Sequence, residues 1–208
     1  SPRMSYLAAE LNAAGFFYNL VGQYDKAIRY HEEALAIAEK LGLEDGVAAS
    51  LSSIGMVYHN WGQYDKALKN HEEALAIARK LGQEGNIVIY LNNIGNVYDS
   101  WGQYDKAIKY YEESLAIDRR LGKEGSAAIS LNNIGNVYHS WGQYDKAMKY
   151  YEEALDIARK LGQEATIGLC LSNIGIVYDS QGKYKTAIKY LTESVEKIEK
   201  LRKTATGD

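Results

Sequence analysis

The sequence predicts an all-α solenoid built from five helix-turn-helix repeats, and three observations predict it. A Leu-x-x-Ile-Gly segment that begins at Leu51 returns at Leu91, Leu131 and Leu171, and in degenerate form at Leu11, which sets a period of forty residues. Gly15, Gly55, Gly95, Gly135 and Gly175 keep that register without one insertion, as do Tyr24, Tyr64, Tyr104, Tyr144 and Tyr184. Within each period the apolar residues twice follow the 3.6-residue spacing of a helix, and nothing alternates as a strand would.

The third period shows the elements in order. Ile87, Leu91, Ile94, Tyr98 and Trp101 fall on one face of a first helix, helix A. After Gly102 and Gln103 the pattern resumes with Tyr104, Ala107, Ile108, Tyr111, Leu115 and Leu121, a second helix that stops at Gly122. Asp105 lies in the first turn of this helix B and Arg119 and Arg120 in its last, the arrangement a helix dipole favours. The repeats then occupy about 5–42, 43–82, 83–122, 123–162 and 163–202, one array over 1–203, followed by a disordered tail at 204–208.

Glycine inside a helix costs about 0.5–1 kcal/mol relative to alanine, yet every helix A carries one at the same place. A close backbone crossing compensates. The small residue repeated on helix B as Ala27, Ala67, Ala107, Ala147 and Ala187 is the expected partner.

Composition removes several function classes. The net charge is −3 and the isoelectric point about 5.9, whereas affinity for phosphate backbones comes from clustered Lys and Arg, so no nucleic-acid partner is expected. No apolar run reaches the roughly 18–20 residues of a membrane span, so none is expected in a membrane either. The single cysteine, Cys170, and the lack of a signal-peptide pattern point to a reducing cytoplasm.

Catalysis needs singular residues brought together, and most polar residues here recur every forty positions. His31 and His71 stand where later repeats have Tyr111 and Tyr151, as core substitutes. His59 and His139 alternate with Asp99 and Asp179 near the end of helix A, a row in which His59 is expected beside Asp99 and Asp99 beside His139. Helices stacked about 10 Å apart cannot bring that row within the ~2.1 Å of a zinc ligand. No phosphate-cradling loop, nucleophile elbow or cysteine pair occurs, so no catalytic residue, metal or cofactor is expected. All tyrosines but Tyr6 and Tyr90 sort into repeat positions, and Trp61, Trp101 and Trp141 close helix A, with Gln181 replacing them in the last repeat.

The Leu-x-x-Ile-Gly-x-x-Tyr run, the following Trp-Gly-Gln-Tyr-Asp-Lys-Ala and the Tyr/His-x-x-Ala/Ser-Leu ending resemble the tetratricopeptide repeat from Tyr6 to about Lys203. Two departures stand out: the common form has about 34 residues and a proline after helix B, whereas these units have forty and place Glu39, Arg79, Arg119, Arg159 and Glu199 there. The longer unit is similar to that of Partner-of-Inscuteable type polarity adaptors, kinesin light chains and bacterial signalling proteins. The resemblance implies a right-handed superhelix whose concave surface is lined by helix A, and a role in protein–protein interaction rather than catalysis.

On that inner face, helix A carries Asn92, Asn93, Asn96, Asn132, Asn133 and Asn136, flanked by Asn12 and Asn173. Asparagine is a poor helix-interior residue, and its amide both donates and accepts. Two uses are open: gripping the main chain of a bound peptide, or hydrogen bonding between stacked helices. Phe16, Met56 and Ile176 stand at the place of Asn96 and Asn136, which makes the ends of the groove apolar. With His59, Asp99, His139 and Asp179 they form the candidate site. Helix-A interiors hold no Lys or Arg, so the expected partner is an extended or helical peptide of neutral to basic character, and no basic clamp for a partner's carboxylate is expected. The alternatives are a self-associating spacer stacked through uncapped ends, a sensor segment of a larger signalling protein, and a consensus-like designed array without a ligand.

Overall fold

The computed structural model describes residues 2–206, with side chains for 3–203. Among them the regular structure is wholly helical. The A helices are α1 (Pro2–Leu20), α3 (Glu44–Asn60), α5 (Glu84–Ser100), α7 (Glu124–Ser140) and α9 (Glu164–Ser180). The B helices are α2 (Tyr24–Lys40), α4 (Tyr64–Lys80), α6 (Tyr104–Arg120), α8 (Tyr144–Leu161) and α10 (Tyr184–Thr206). They form two compact units, one holding α1–α5 and the other α6–α10.

In the first unit each helix packs on the next in the chain, and α3 also touches α1 and α5. In the second, consecutive helices pack in the same way and α7 touches α9. Every hairpin is closed by the same device. At the end of α3, Gly62 takes a φ of 77°, a conformation open to glycine without a Cβ penalty. The Gln63 N–H then reaches back to the Tyr58 carbonyl at 2.8 Å, and the Gly62 N–H to the His59 carbonyl at 2.9 Å. Two otherwise orphaned helix-end carbonyls are satisfied this way.

Burial explains the repeated apolar letters. Val57 and Val97 in the first unit, and Val137 and Val177 in the second, are fully excluded from solvent. The helix-B alanines Ala27, Ala67, Ala107 and Ala147 are equally buried. They are not, however, what the helix-A glycines face. A Cβ on Gly15 would fall 2.7 Å from the His31 ring, one on Gly55 2.8 Å from His71, and one on Gly135 2.6 Å from Tyr151. At Gly175 it would meet Leu191 at 2.8 Å, and the Ala187 carbonyl only at 3.3 Å. The expected glycine–alanine crossing is therefore replaced by a flat ring or a branched side chain lying across the glycine. The side chain one helical turn after each alanine is long enough to cover the gap.

α10 has 23 residues against 17 for α6, and it continues through Thr206 because no glycine interrupts the sequence before Gly207. Residues 204–206 are thus helical, and 207–208 of the expected tail lie outside the described residues.

Candidate interaction face on the A helices

The A helices place their functional candidates on a solvent-facing stripe. In the first unit Phe16 is 58% exposed, Asn96 is exposed, and Met56, Asn92 and Asn93 are half-buried. In the second, Ile176 and Asp179 are exposed, Asn133, Asn136 and His139 are half-buried, and Asn132 is buried. One row was absent from the sequence expectation. Ile89 in the first unit, and Ile129 and Leu169 in the second, are each about half exposed. These residues sit four positions before Asn93, Asn133 and Asn173, on the same helix face. The signal was present as Ala, Ala, Ile, Ile, Leu at every fortieth position from Ala9. An aliphatic residue beside a core stripe reads as core until its exposure is known.

The asparagines of the second unit are engaged with one another and with the core. Asn173 Nδ2 donates to Asn132 Oδ1 at 2.9 Å and to Asn136 Oδ1 at 3.1 Å, tying α9 to α7. Asn136 Oδ1 also accepts from the Tyr151 hydroxyl at 2.7 Å, the same ring that covers Gly135. In the first unit Asn93 Nδ2 donates to Ser52 Oγ at 3.2 Å, and Asn60 Nδ2 to Asn19 Oδ1 at 3.1 Å. Hydrogen bonding between stacked A helices, one of the two uses left open by the sequence, thus occurs within each unit.

On the edge of the A helices the two histidines bond to serines. His59 Nε2 lies 2.8 Å from Ser100 Oγ, and His139 Nε2 lies 3.3 Å from Ser180 Oγ. The pairs His59–Ser100, Asn19–Asn60, Ser52–Asn93 and Asn132–Asn173 are all 41 residues apart. Within each unit the neighbouring A helices thus meet one residue out of the sequence register, so His59 bonds to the serine after the expected Asp99, and His139 bonds to Ser180. Burial lowers the pKa of His59 and of His139 and raises that of Asp99. Among the described residues no cluster of three His, Cys, Asp or Glu side chains could hold a metal ion.

His31 and His71 are buried like the tyrosines they replace. Burial, with a smaller contribution from His59, pushes the His71 pKa down to about 4. His31 Nδ1 lies 2.8 Å from Asn12 Oδ1, and His71 Nδ1 3.3 Å from Ser52 Oγ. The thiol of Cys170 is buried and its pKa pushed up to about 11 by that burial, so it is not a nucleophile at neutral pH. Asp118 stands where Ala78 and Ala158 stand in other repeats, and burial raises its pKa against the opposing effects of Lys123 and of a hydrogen bond with Ser130.

A second periodic feature lies at the A–B turns. Trp61 stacks on Tyr24 at 5.7 Å and Trp101 packs on Tyr64 at 5.8 Å in the first unit, and Trp141 on Tyr104 at 5.8 Å in the second. Each indole closes one hairpin against the next.

Antiparallel helix pairs with glycine-terminated turns, each packed on its neighbours, define a helical-repeat protein. The tetratricopeptide repeat profile matches residues 6–80, 47–120, 86–160 and 126–200, so the chain belongs to the tetratricopeptide repeat family. That family is a scaffold for protein–protein interaction. No curated protein matches the chain.

Among solved structures, the chain is similar to BtubC (BKLC) from P. vanneervenii at 27% identity and a TM-score of 0.80, covering 96% of this chain and 83% of that one. It is similar to a putative kinesin light chain with nearly identical TPR-like repeats from Podosopora anserina, at 20% identity and a TM-score of 0.76, over 96% and 98% of the two chains. A Rap protein complexed with competence and sporulation factor matches at 20% identity and a TM-score of 0.75, over 90% of this chain and 52% of that one. The latter two likenesses show the fold. No helix among the described residues is long and apolar enough to cross a membrane.

Proposed function

We propose that this chain is a protein-interaction module, and that the exposed face of its A helices receives an extended or helical peptide segment of a partner. The observation that carries this reading is the exposure of Ile129, Leu169 and Ile176 on the second unit, beside amide side chains. A folded chain leaves aliphatic residues of adjacent helices in water at a cost, and such rows mark interaction sites. The half-buried amide of Asn133 borders this row and supplies polar contacts for a main chain.

The partner segment is neutral to basic with aliphatic anchors. Asp99 and Asp179 lie on these faces, and helix-A interiors carry no Lys or Arg. That one structural relative is complexed with competence and sporulation factor supports a binding role for such a scaffold. The A-helix faces of each unit act as interaction surfaces in the cytoplasm, without a cofactor.

Peptide display against the full chain tests the proposal. Selected peptides are expected to share aliphatic anchors three or four residues apart and to lose about tenfold or more in affinity for an Ile129→Asp/Leu169→Asp variant, since each buried aliphatic contributes about 1.5–3 kcal/mol. Unchanged affinity in that variant would remove this face as the site. Asn136→Arg is a poorer probe, because it also strips the Tyr151 hydroxyl of its acceptor.

A further inference from the structure

We propose that the A–B turn edge of the first unit is a second docking surface, which takes an extended segment carrying arginines three residues apart. It is independent of the A-helix face. Two cavities of the same construction lie along this edge, of about 330 Å³ and about 350 Å³. The first is walled by Trp61 and Tyr24 with Asp25 at its side, and the second by Trp101 and Tyr64 with Asp65. Both indoles are 38% exposed although Trp61 packs on Tyr24 and Tyr58 and Trp101 on Tyr64. Asp25 and Asp65 are exposed carboxylates in the first turns of α2 and α4.

The lysine that follows each aspartate does not cover the indole. Lys26 Nζ sits 5.3 Å from the centre of the Tyr18 ring, and Lys66 Nζ 5.1 Å from that of Tyr58. Lys26 and Lys66 also line the cavities, but each ammonium sits over a helix-A tyrosine. The exposed indole beside a carboxylate is then a receptor for a planar cation. A guanidinium can lie on the indole face while its N–H groups meet the carboxylate. An ammonium satisfies only one of those two demands well.

Spacing selects the backbone of the ligand. Stacked helices lie about 10 Å apart, so the two cavities repeat at about that distance. A polyproline II segment has three residues per turn and a rise of about 3.1 Å, so side chains i and i+3 point the same way about 9 Å apart. Arg-x-x-Arg in that conformation places one guanidinium in each cavity. In a β-strand the two side chains would point to opposite sides.

The chain contains three tryptophans, two of which wall these cavities, so their emission reports the site directly. The full chain is titrated with Ac-(Arg-Pro-Ala)4-NH2 at low and high salt, with the Glu-Pro-Ala analogue as control. Expected is a saturable change in tryptophan emission for the arginine peptide alone, weakened by salt and about fivefold weaker in an Asp25→Asn/Asp65→Asn variant. Calorimetry on Trp61→Gln/Trp101→Gln provides a second arm, because Gln181 already stands at that place in the last repeat. That variant is expected to bind more weakly, while Ile129→Asp/Leu169→Asp binds as wild type. No saturable change, or equal affinity in the Asp25→Asn/Asp65→Asn variant, overturns the proposal.

Discussion

Beneath Gly55 the first unit places the imidazole of His71, and beneath Gly135 the second places the phenol of Tyr151. The backbone gap is the same and the rings differ in reach. The shorter imidazole meets Ser52, one turn before Met56, and His31 likewise meets Asn12 rather than Phe16. The longer phenol carries its hydroxyl to Asn136 on the exposed face. That difference accounts for a pattern in the letters. Phe16 and Met56 precede a histidine by fifteen residues, Asn96 and Asn136 precede a tyrosine, and Ile176 precedes Leu191. In the second unit Asn136 is thus the acceptor for a buried ring, and the solvent-facing stripe is set partly from within.

The comparison breaks most decisively at the glycine. Gly135→Leu is expected to cost the second unit about 3 kcal/mol or more, because Cβ alone would lie 2.6 Å from Tyr151 and the rest of the side chain has no space. Gly55→Leu should do the same to the first unit through His71. A melting temperature equal to wild type in either variant would refute the ring-on-glycine packing.

Next in size is an asymmetry towards acid. The unfolded imidazole protonates near pH 6.5, whereas the buried His71 resists until about pH 4. Its contribution to stability is complete above pH 6.5 and is lost as pH falls to 4, because the unfolded chain binds the proton first. The ceiling of that loss is about 3 kcal/mol for such a shift. The pKa of His31 is lowered in the same direction. Hydrogen exchange at pH 7 and pH 4.5 is expected to show α1–α4 opening more readily in acid than α7–α8, and His71→Tyr should narrow the gap. Equal acid sensitivity of the two units would contradict it.

A smaller effect isolates the hydroxyl. Tyr151→Phe keeps the ring over Gly135 and removes the bond to Asn136, for a loss of about 1 kcal/mol by denaturant titration. Smallest is the register bond on the exposed edge. Ser180→Ala should lower stability by about 0.5 kcal/mol and raise the His139 pKa little, since burial, not Ser180, lowers it. An NMR titration of His139 checks that outcome.

Much of the fold was legible because helix ends and helix faces are local matters. Gly62 and its equivalents announce the turns, and the valines and alanines announce the buried faces. The glycine's partner was not legible in the same way. Ala67 and His71 both follow Gly55 at distances compatible with contact, and only the packing of α3 on α4 brings the ring, not the methyl, against it. The candidate face was half legible. Asn93 and Asn133 are half-buried and Ile176 is exposed, whereas Asn132 is buried, and Ile129 and Leu169 were not singled out because hydrophobicity does not state which side of a helix faces water.

The sequence by itself determined the alternation of A and B helices and the glycine turns between them, because a forty-residue period of glycine stops and helical spacings admits one local solution. Only the tertiary structure decided the 41-residue offset between neighbouring A helices and the side chain beneath each glycine. Those depend on how two helices rotate against each other to fit ring, branch and backbone, a packing result that no single repeat contains.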